Sequence, residues 1–224
     1  MNPVICTAEP QELMISVREA LRYLGVRGPE MPQDLLKAVS DELPHIQAAL
    51  SCIAVWERIP LELDGARCTF GGIVVESTAL AKNLHGCTEV FLFAATIGVD
   101  VDRLLARNAR LSPSKGVIDD ALASAAIEAW CNHLNAKLEA RTAAEGRFLR
   151  PRFSPGYGDF PLSVQPQILE YLLAAKRIGL TLTDSLLMVP TKSVTALIGI
   201  SDMPVHCKHG CETCTNQADC PYRL

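Results

Sequence analysis

A helix opened by Pro113 and running to about Arg141 is the longest element that the sequence predicts, and its middle carries Ala121, Ala123, Ala125, Ala126 and Ala129. Proline suits the first helical position, where its missing N–H has no intrahelical partner anyway. Side chains this small let whatever packs on the helix come close to its backbone. The second constraint is the apolar run Val90 to Ile97, ended by Gly98, which has the pattern of a central strand buried on both faces.

The remaining elements alternate around these two. Thr7 is placed to cap a helix in which Leu13, Val17, Ala20, Leu21 and Leu24 recur at helical spacing until Gly25. A second helical stretch spans about Pro32 to Leu50, with a break expected at Pro44, because proline lacks the amide donor and clashes with the preceding turn. Ile53, Val55, the run Ile59 to Leu63 and the run Cys68 to Val75 predict two or three strands, with Asp64-Gly65 as a hairpin turn. Ser77 caps a short helix to about Leu84, and a further helix runs from Val99 to Asn108. Beyond a loop from Gly146 to Pro161, a helix from about Ser163 to Arg177 stops at Gly179. Strands follow at Leu180 to Thr183, Leu186 to Val189 and Val194 to Ile200, with Pro190-Thr191-Lys192 expected to join the last two as a hairpin. Hairpins mixed with helices indicate an α/β (α+β) fold with a mixed, largely antiparallel sheet packed with helices.

Composition narrows the function. The formal net charge is −4 with no Lys/Arg stripe, so there is no electrostatic footprint for a phosphate backbone, and no nucleic-acid partner is expected. No apolar run approaches the roughly 20 residues of a bilayer span, and Met1 to Pro10 has neither a basic cluster nor an apolar core, so a soluble, cytoplasmic protein with no membrane partner is expected. Five of the nine cysteines, Cys6, Cys52, Cys68, Cys87 and Cys131, stand singly in apolar segments, as reduced core thiols do.

The chain lacks a Gly-rich dinucleotide loop, a phosphate-binding Gly-Lys-Ser/Thr loop, a nucleophile elbow and a His-Glu-x-x-His pair. What it has is the run from Arg150 to Pro161, Arg-Pro-Arg-Phe-Ser-Pro-Gly-Tyr-Gly-Asp-Phe-Pro. Its prolines fix the backbone and its glycines let a ligand approach it. Arg152 can pair bidentately with a carboxylate, and Tyr157 offers a ring face and a hydroxyl. Pro-Gly-Tyr-Gly alone is more often only a turn.

The pattern Arg152-x-x-Pro155-Gly156-Tyr157 resembles the S-adenosylmethionine loop of the activation (reactivation) domain of cobalamin-dependent methionine synthase. A second stretch, Leu180 to Ala196, is similar to that family's Leu-Thr, acidic, Ser, Met and Pro sequence before a Ser-Val-Ser-Gly strand. The resemblance covers roughly Asp119 to Ser201. It implies that residues 1–203 form an activation-domain-like α/β unit that binds S-adenosylmethionine, with Arg152 on the methionyl carboxylate, Tyr157 lining the site and Ser154 and Gly156 contributing backbone. The family also sets an acidic residue of an upstream helix against the ligand's ammonium group. Asp120, Ser124 and Glu128 share one helix face, with alanines beside them that leave room for a ligand, and Glu128 is the candidate.

The Asp-x-His-x-x-Gly signature of a cobalamin module is missing, so the resemblance implies cobalamin on a partner, a methionine synthase or other corrinoid protein, with an unidentified electron donor. Gly158-Asp159-Phe160 follows Tyr157 where the family has Pro, a departure that bears on the methyl-side pocket. On this reading the chain is an accessory methyl-transfer domain that supports reductive reactivation of cobalamin.

Residues 204–224 form a Cys-rich tail in which Cys207, Cys211, Cys214 and Cys220 follow a C-x3-C-x2-C-x5-C spacing, with His206 and His209 interleaved. Thiolates at this density indicate a metal-binding tail, holding zinc or an iron–sulfur cluster. The first three also match the cluster spacing of radical S-adenosylmethionine enzymes, but those carry it early in a long barrel, which this chain lacks. A non-catalytic S-adenosylmethionine-binding or metal-binding module is the alternative from a different class.

Overall fold

The computed structural model describes residues 3–27 and 32–204. The strands are β1 (Val4–Ala8), β2 (Cys52–Asp64), β3 (Arg67–Phe70), β4 (Ile73–Glu76), β5 (Cys87–Thr96), β6 (Phe148–Leu149), β7 (Thr181–Leu182), β8 (Met188–Val189) and β9 (Ser193–Ser201). The helices are α1 (Val17–Tyr23), α2 (Gln33–Ala49), α3 (Thr78–Asn83), α4 (Val99–Leu111), α5 (Pro113–Ala143), α6 (Gln165–Tyr171) and α7 (Ala174–Ile178). One sheet runs in the order β4-β3-β2-β5-β9-β6, with β1 also on β2, and every pairing described is antiparallel.

The 13-residue β2 organises this sheet. Along one edge it takes β1 from Cys52 to Trp56 and β3 from Leu61 to Asp64, and along the other it takes β5. Pro60, which has no N–H to give, falls in the gap between the β1 and β3 pairings. Alternation does the rest. Phe91, Phe93, Ala95 and Ile97 pack on one face with residues of α1, α2 and α5, while Val90, Leu92 and Ala94 pack on the other with residues of α3, α6 and α7. Burying a side chain such as Phe93 completely contributes about 1.5 to 3 kcal/mol.

The expected central strand and long helix are both present, and the sheet is entirely antiparallel among the described residues. Four local expectations fail. Thr7 lies in β1 and caps nothing; Ser16 caps α1 instead, its hydroxyl accepting from the Glu19 amide at 3.2 Å. The pairing of Val4–Ala8 with β2 decides this segment, against its turn-like sequence. Pro44 does not break α2: it and Ser40, whose carbonyl loses its bond, are both exposed, so water can replace the partner. The helix expected to Arg177 is split into α6 and α7 at Leu173, whose φ is 52°. Pro190-Thr191-Lys192 is no hairpin, because β8 pairs with β7 and β9 with β5 and β6.

The alanines of α5 also serve differently from expectation. Ala121, Ala123, Ala125 and Ala126 are buried in the core that α5 shares with α1, α2 and the sheet, so the room they leave admits helices and strands. The closest approach is at Gly116, where a Cβ would stand 2.7 Å from the Cα of Ala109 on α4. Cys6, Cys52, Cys68, Cys87 and Cys131 are all free thiols, and burial pushes Cys52 and Cys131 up to about 12, which makes them inert. No helix among the described residues is long and apolar enough to cross a membrane.

Candidate functional site

Where β9 begins, the sheet ends in a cavity of about 620 Å³. Its walls are Glu128 of α5, Arg152 and Ser154 to Tyr157 of the loop, Leu162 just before α6 and Gln165 at its start, Leu186 to Met188, Thr191, and Ser193 to Thr195 of β9. The volume falls in the range of pockets for small organic ligands, roughly 300 to 1,000 Å³. A second groove, of about 880 Å³ along α4 and α5, adjoins it at Thr191.

The loop is held mainly by its own backbone. Phe153 exchanges two 2.9 Å hydrogen bonds with Leu197 of β9, which extends the sheet by one residue into the loop. The Tyr157 amide donates to the Ser154 carbonyl at 3.2 Å, the Gly156 amide to Phe160 at 2.8 Å and the Phe160 amide to Tyr157 at 3.0 Å. Gly156 has φ +94°, a conformation that L side chains rarely adopt.

The departure from the family pattern after Tyr157 has a structural use. Asp159 caps α3: its carboxylate accepts from the amides of Thr78 at 2.8 Å and Ala79 at 3.0 Å and from the Ser77 hydroxyl. The Ser77 bond and these amides bring its pKa down to about 2. Gly158, at φ +56°, lets the chain pass so close to α3 that a Cβ would lie 2.8 Å from that of Ala79.

Arg152 and Glu128 meet. Nη2 of Arg152 donates to Glu128 Oε2 and to Asn132 Oδ1, both at 3.0 Å. Nη1 is buried and has no partner among the described residues. A guanidinium with one arm fixed to α5 and the other free offers that arm to an anion. Ser154 and Gly156 line the same wall, and Tyr157 stands 63% exposed at the rim, its ring 6.2 Å from that of Phe153. All five candidate ligand residues thus border one cavity. Asp120 and Ser124, on the same face of α5 as Glu128, are occupied otherwise: Lys192 Nζ donates to them at 2.8 Å and 2.9 Å. Next to it, Thr191 donates to Asp102 of α4 from its amide at 2.8 Å and its hydroxyl at 2.6 Å.

One edge of β9 is unpaired at the cavity. The backbone of Leu197 faces Phe153 and the carbonyl of Gly199 faces Arg150, so by alternation Thr195 points to the same edge, where no strand pairs among the described residues. Sequence reasoning missed Asn132, Gln165, Lys192 and Asp102. Asn132 had a signal, lying four residues beyond Glu128 on the same helix face. The proposed metal ligands Cys207, Cys211, Cys214 and Cys220 lie outside the described residues.

An antiparallel sheet between helical layers, with a cavity of about 620 Å³ at one strand end and an arginine–glutamate pair in its wall, makes a domain with a candidate site for a small polar ligand. More narrowly, the chain belongs to the family of vitamin B12-dependent methionine synthase activation domains, whose model matches residues 88–206, just over half of the chain. That stretch runs from β5 through β9 and contains every wall of the cavity. Among solved structures, the chain is similar to the MetH reactivation domain bound to AdoHcy, with a TM-score of 0.69 and 17% sequence identity over 92% of this chain and 80% of that one. No curated protein sequence matches it.

Proposed function

We propose that this chain binds S-adenosylmethionine in the cavity at the start of β9 and presents its methyl group to cobalamin carried by a separate methionine synthase or other corrinoid protein. The observation that carries the reading is the Arg152–Glu128 pair, with its free guanidinium arm, beside a loop opened by Gly156. A cation and an anion fixed side by side are the complement of an amino-acid zwitterion, Arg152 taking the carboxylate and Glu128 the ammonium. Membership of the activation-domain family supports the same ligand.

The chemistry supplied is transfer of the sulfonium methyl to cob(I)alamin, formed from cob(II)alamin by one electron from an external donor, leaving S-adenosylhomocysteine. The chain's own groups then need no acid or base; they position the ligand and exclude water. The loop supplies backbone at Ser154 and Gly156, and Tyr157 at the rim covers the ligand from the solvent side.

Calorimetric titration of the full chain with S-adenosylmethionine tests the reading, with saturable binding expected. Absence of a saturable signal at millimolar ligand overturns it. Methyl transfer is checked with isotopically labelled donor, a reductant and a cob(II)alamin-loaded methionine synthase, where label should reach the cobalamin only when this chain is added.

A further inference from the structure

Gln165 stands out among the cavity walls. It opens α6 and is 2% exposed, surrounded in sequence by the apolar Leu162, Val164, Ile168 and Leu169. Gln165 lines the cavity, yet its Oε1 is buried and accepts no hydrogen bond among the described residues. Buried polar groups are nearly always paired, and an orphan carries the full loss of its hydration. A carboxamide kept at such a place in a ligand cavity has its partner on the ligand.

Its location says which part of the ligand. Glu128, which anchors Arg152, belongs to α5, packed on one face of the sheet; Gln165 belongs to α6, packed on the other. Ser193 to Thr195, the start of β9, belong to the sheet that separates these two layers and line the same cavity. A ligand whose amino-acid group sits at Arg152 therefore reaches Gln165 with its opposite end, across the end of the strand.

We infer that Gln165 recognises the base of the ligand as adenine, Oε1 accepting from the exocyclic amine and Nε2 donating to the adjacent ring nitrogen. Glutamine forms this bidentate pair with adenine elsewhere, because its acceptor and donor match the N6 amine and N7 in spacing and polarity. Hypoxanthine, with a carbonyl in place of the amine, offers two acceptors on that edge and cannot satisfy both ends. The inference rests on the reading of the cavity as an S-adenosylmethionine site and adds the group that selects the base.

The test is calorimetric affinity of the full chain for S-adenosylhomocysteine and for S-inosylhomocysteine, in the wild type, Gln165→Met and Gln165→Leu. The wild type should prefer the adenine ligand about tenfold or more, the discrimination that one bidentate pair supplies. Both variants should bind the adenine ligand about tenfold more weakly and show a preference within roughly threefold of unity. Met keeps the length of Gln and Leu does not, so one folded variant, checked by circular dichroism, is enough. A wild type that binds both ligands equally overturns the inference alone and needs no variant. A folded variant that keeps the wild-type preference also overturns it. A wild type that binds neither ligand overturns this inference together with the reading on which it rests.

Discussion

The two segments that flank the cavity are fastened by different means. The Arg150–Pro161 loop is a continuation of the sheet: its backbone pairs with β9, turns on itself at Tyr157 and ends in Asp159, which caps α3. The segment from Leu186 to Lys192 pairs among the described residues within the two-stranded ribbon β7–β8 and meets the sheet only at its end, where the Lys192 carbonyl accepts from the Ile97 amide at 3.2 Å; side chains then tie that end to the helices, Thr191 to Asp102 and Lys192 to Asp120. Backbone fastening sets a shape before any ligand arrives, whereas exposed side-chain ties are individually weak. Ligand affinity should therefore depend steeply on the first wall and shallowly on the second.

The largest effect expected is from Arg152→Ala, which removes the free guanidinium arm and leaves Glu128 without its partner. Affinity for S-adenosylmethionine should fall well over tenfold, since a charge-assisted bond contributes about 1.5 to 3 kcal/mol. Calorimetry reads this, and near-wild-type affinity would remove Arg152 as the carboxylate partner. Gly158→Val comes next. It places a β-branched residue at φ +56° with its Cβ against Ala79, and should lower the unfolding free energy by about 1 to 3 kcal/mol; an unchanged melting temperature would show that the loop does not need its tight passage over α3.

Asp159→Ala tests the same wall through pH. The folded pKa of Asp159 is depressed to about 2 and its ordinary value is about 3.9, so the stabilisation is complete above that ordinary value and is lost as pH falls through the folded one. Wild type should be more stable than Asp159→Ala at neutral pH, with the difference closing between about pH 4 and pH 2. Denaturant melts across that range measure it, and a gap independent of pH would mean the carboxylate is not the cap. The smallest effect is predicted for Asp102→Ala on the second wall: a two- to threefold loss of affinity, on the order of 0.5 kcal/mol for exposed hydrogen bonds. A loss as large as that of Arg152→Ala would abolish the contrast between the walls.

Much of this was legible in the sequence. The run Val90 to Ile97 announced β5 because a strand covered on both faces has no polar alternation to blur it. Ser77 as a cap and Pro113 as a first-turn residue were read from local chemistry and found in place. Where the outcome depended on a distant partner, the sequence misled: β1 exists because β2 offers it an edge, and β8 pairs with β7 and leaves the edge of β9 at Thr195 bare. The site divides similarly. Arg152, Gly156 and Tyr157 form a contiguous motif, and Glu128 followed from the family resemblance together with helix spacing, whereas Gln165 and Lys192 acquire their meaning only when α6 and β9 are brought beside the loop.

The bare edge of β9 at Thr195 has a consequence for how such a site ages. A peptide group is the same whatever side chain it bears, so hydrogen bonds made there outlast any exchange at Thr195 that keeps the strand in register. Thr195 is itself 3% exposed, so bulky exchanges there would be costly, and that cost would report the packing of the side chain and nothing about the use of its peptide group. A ligand bonded at that edge would owe that part of its hold to the path of the chain, which drift among descendants does not easily erase and a search for motifs does not find.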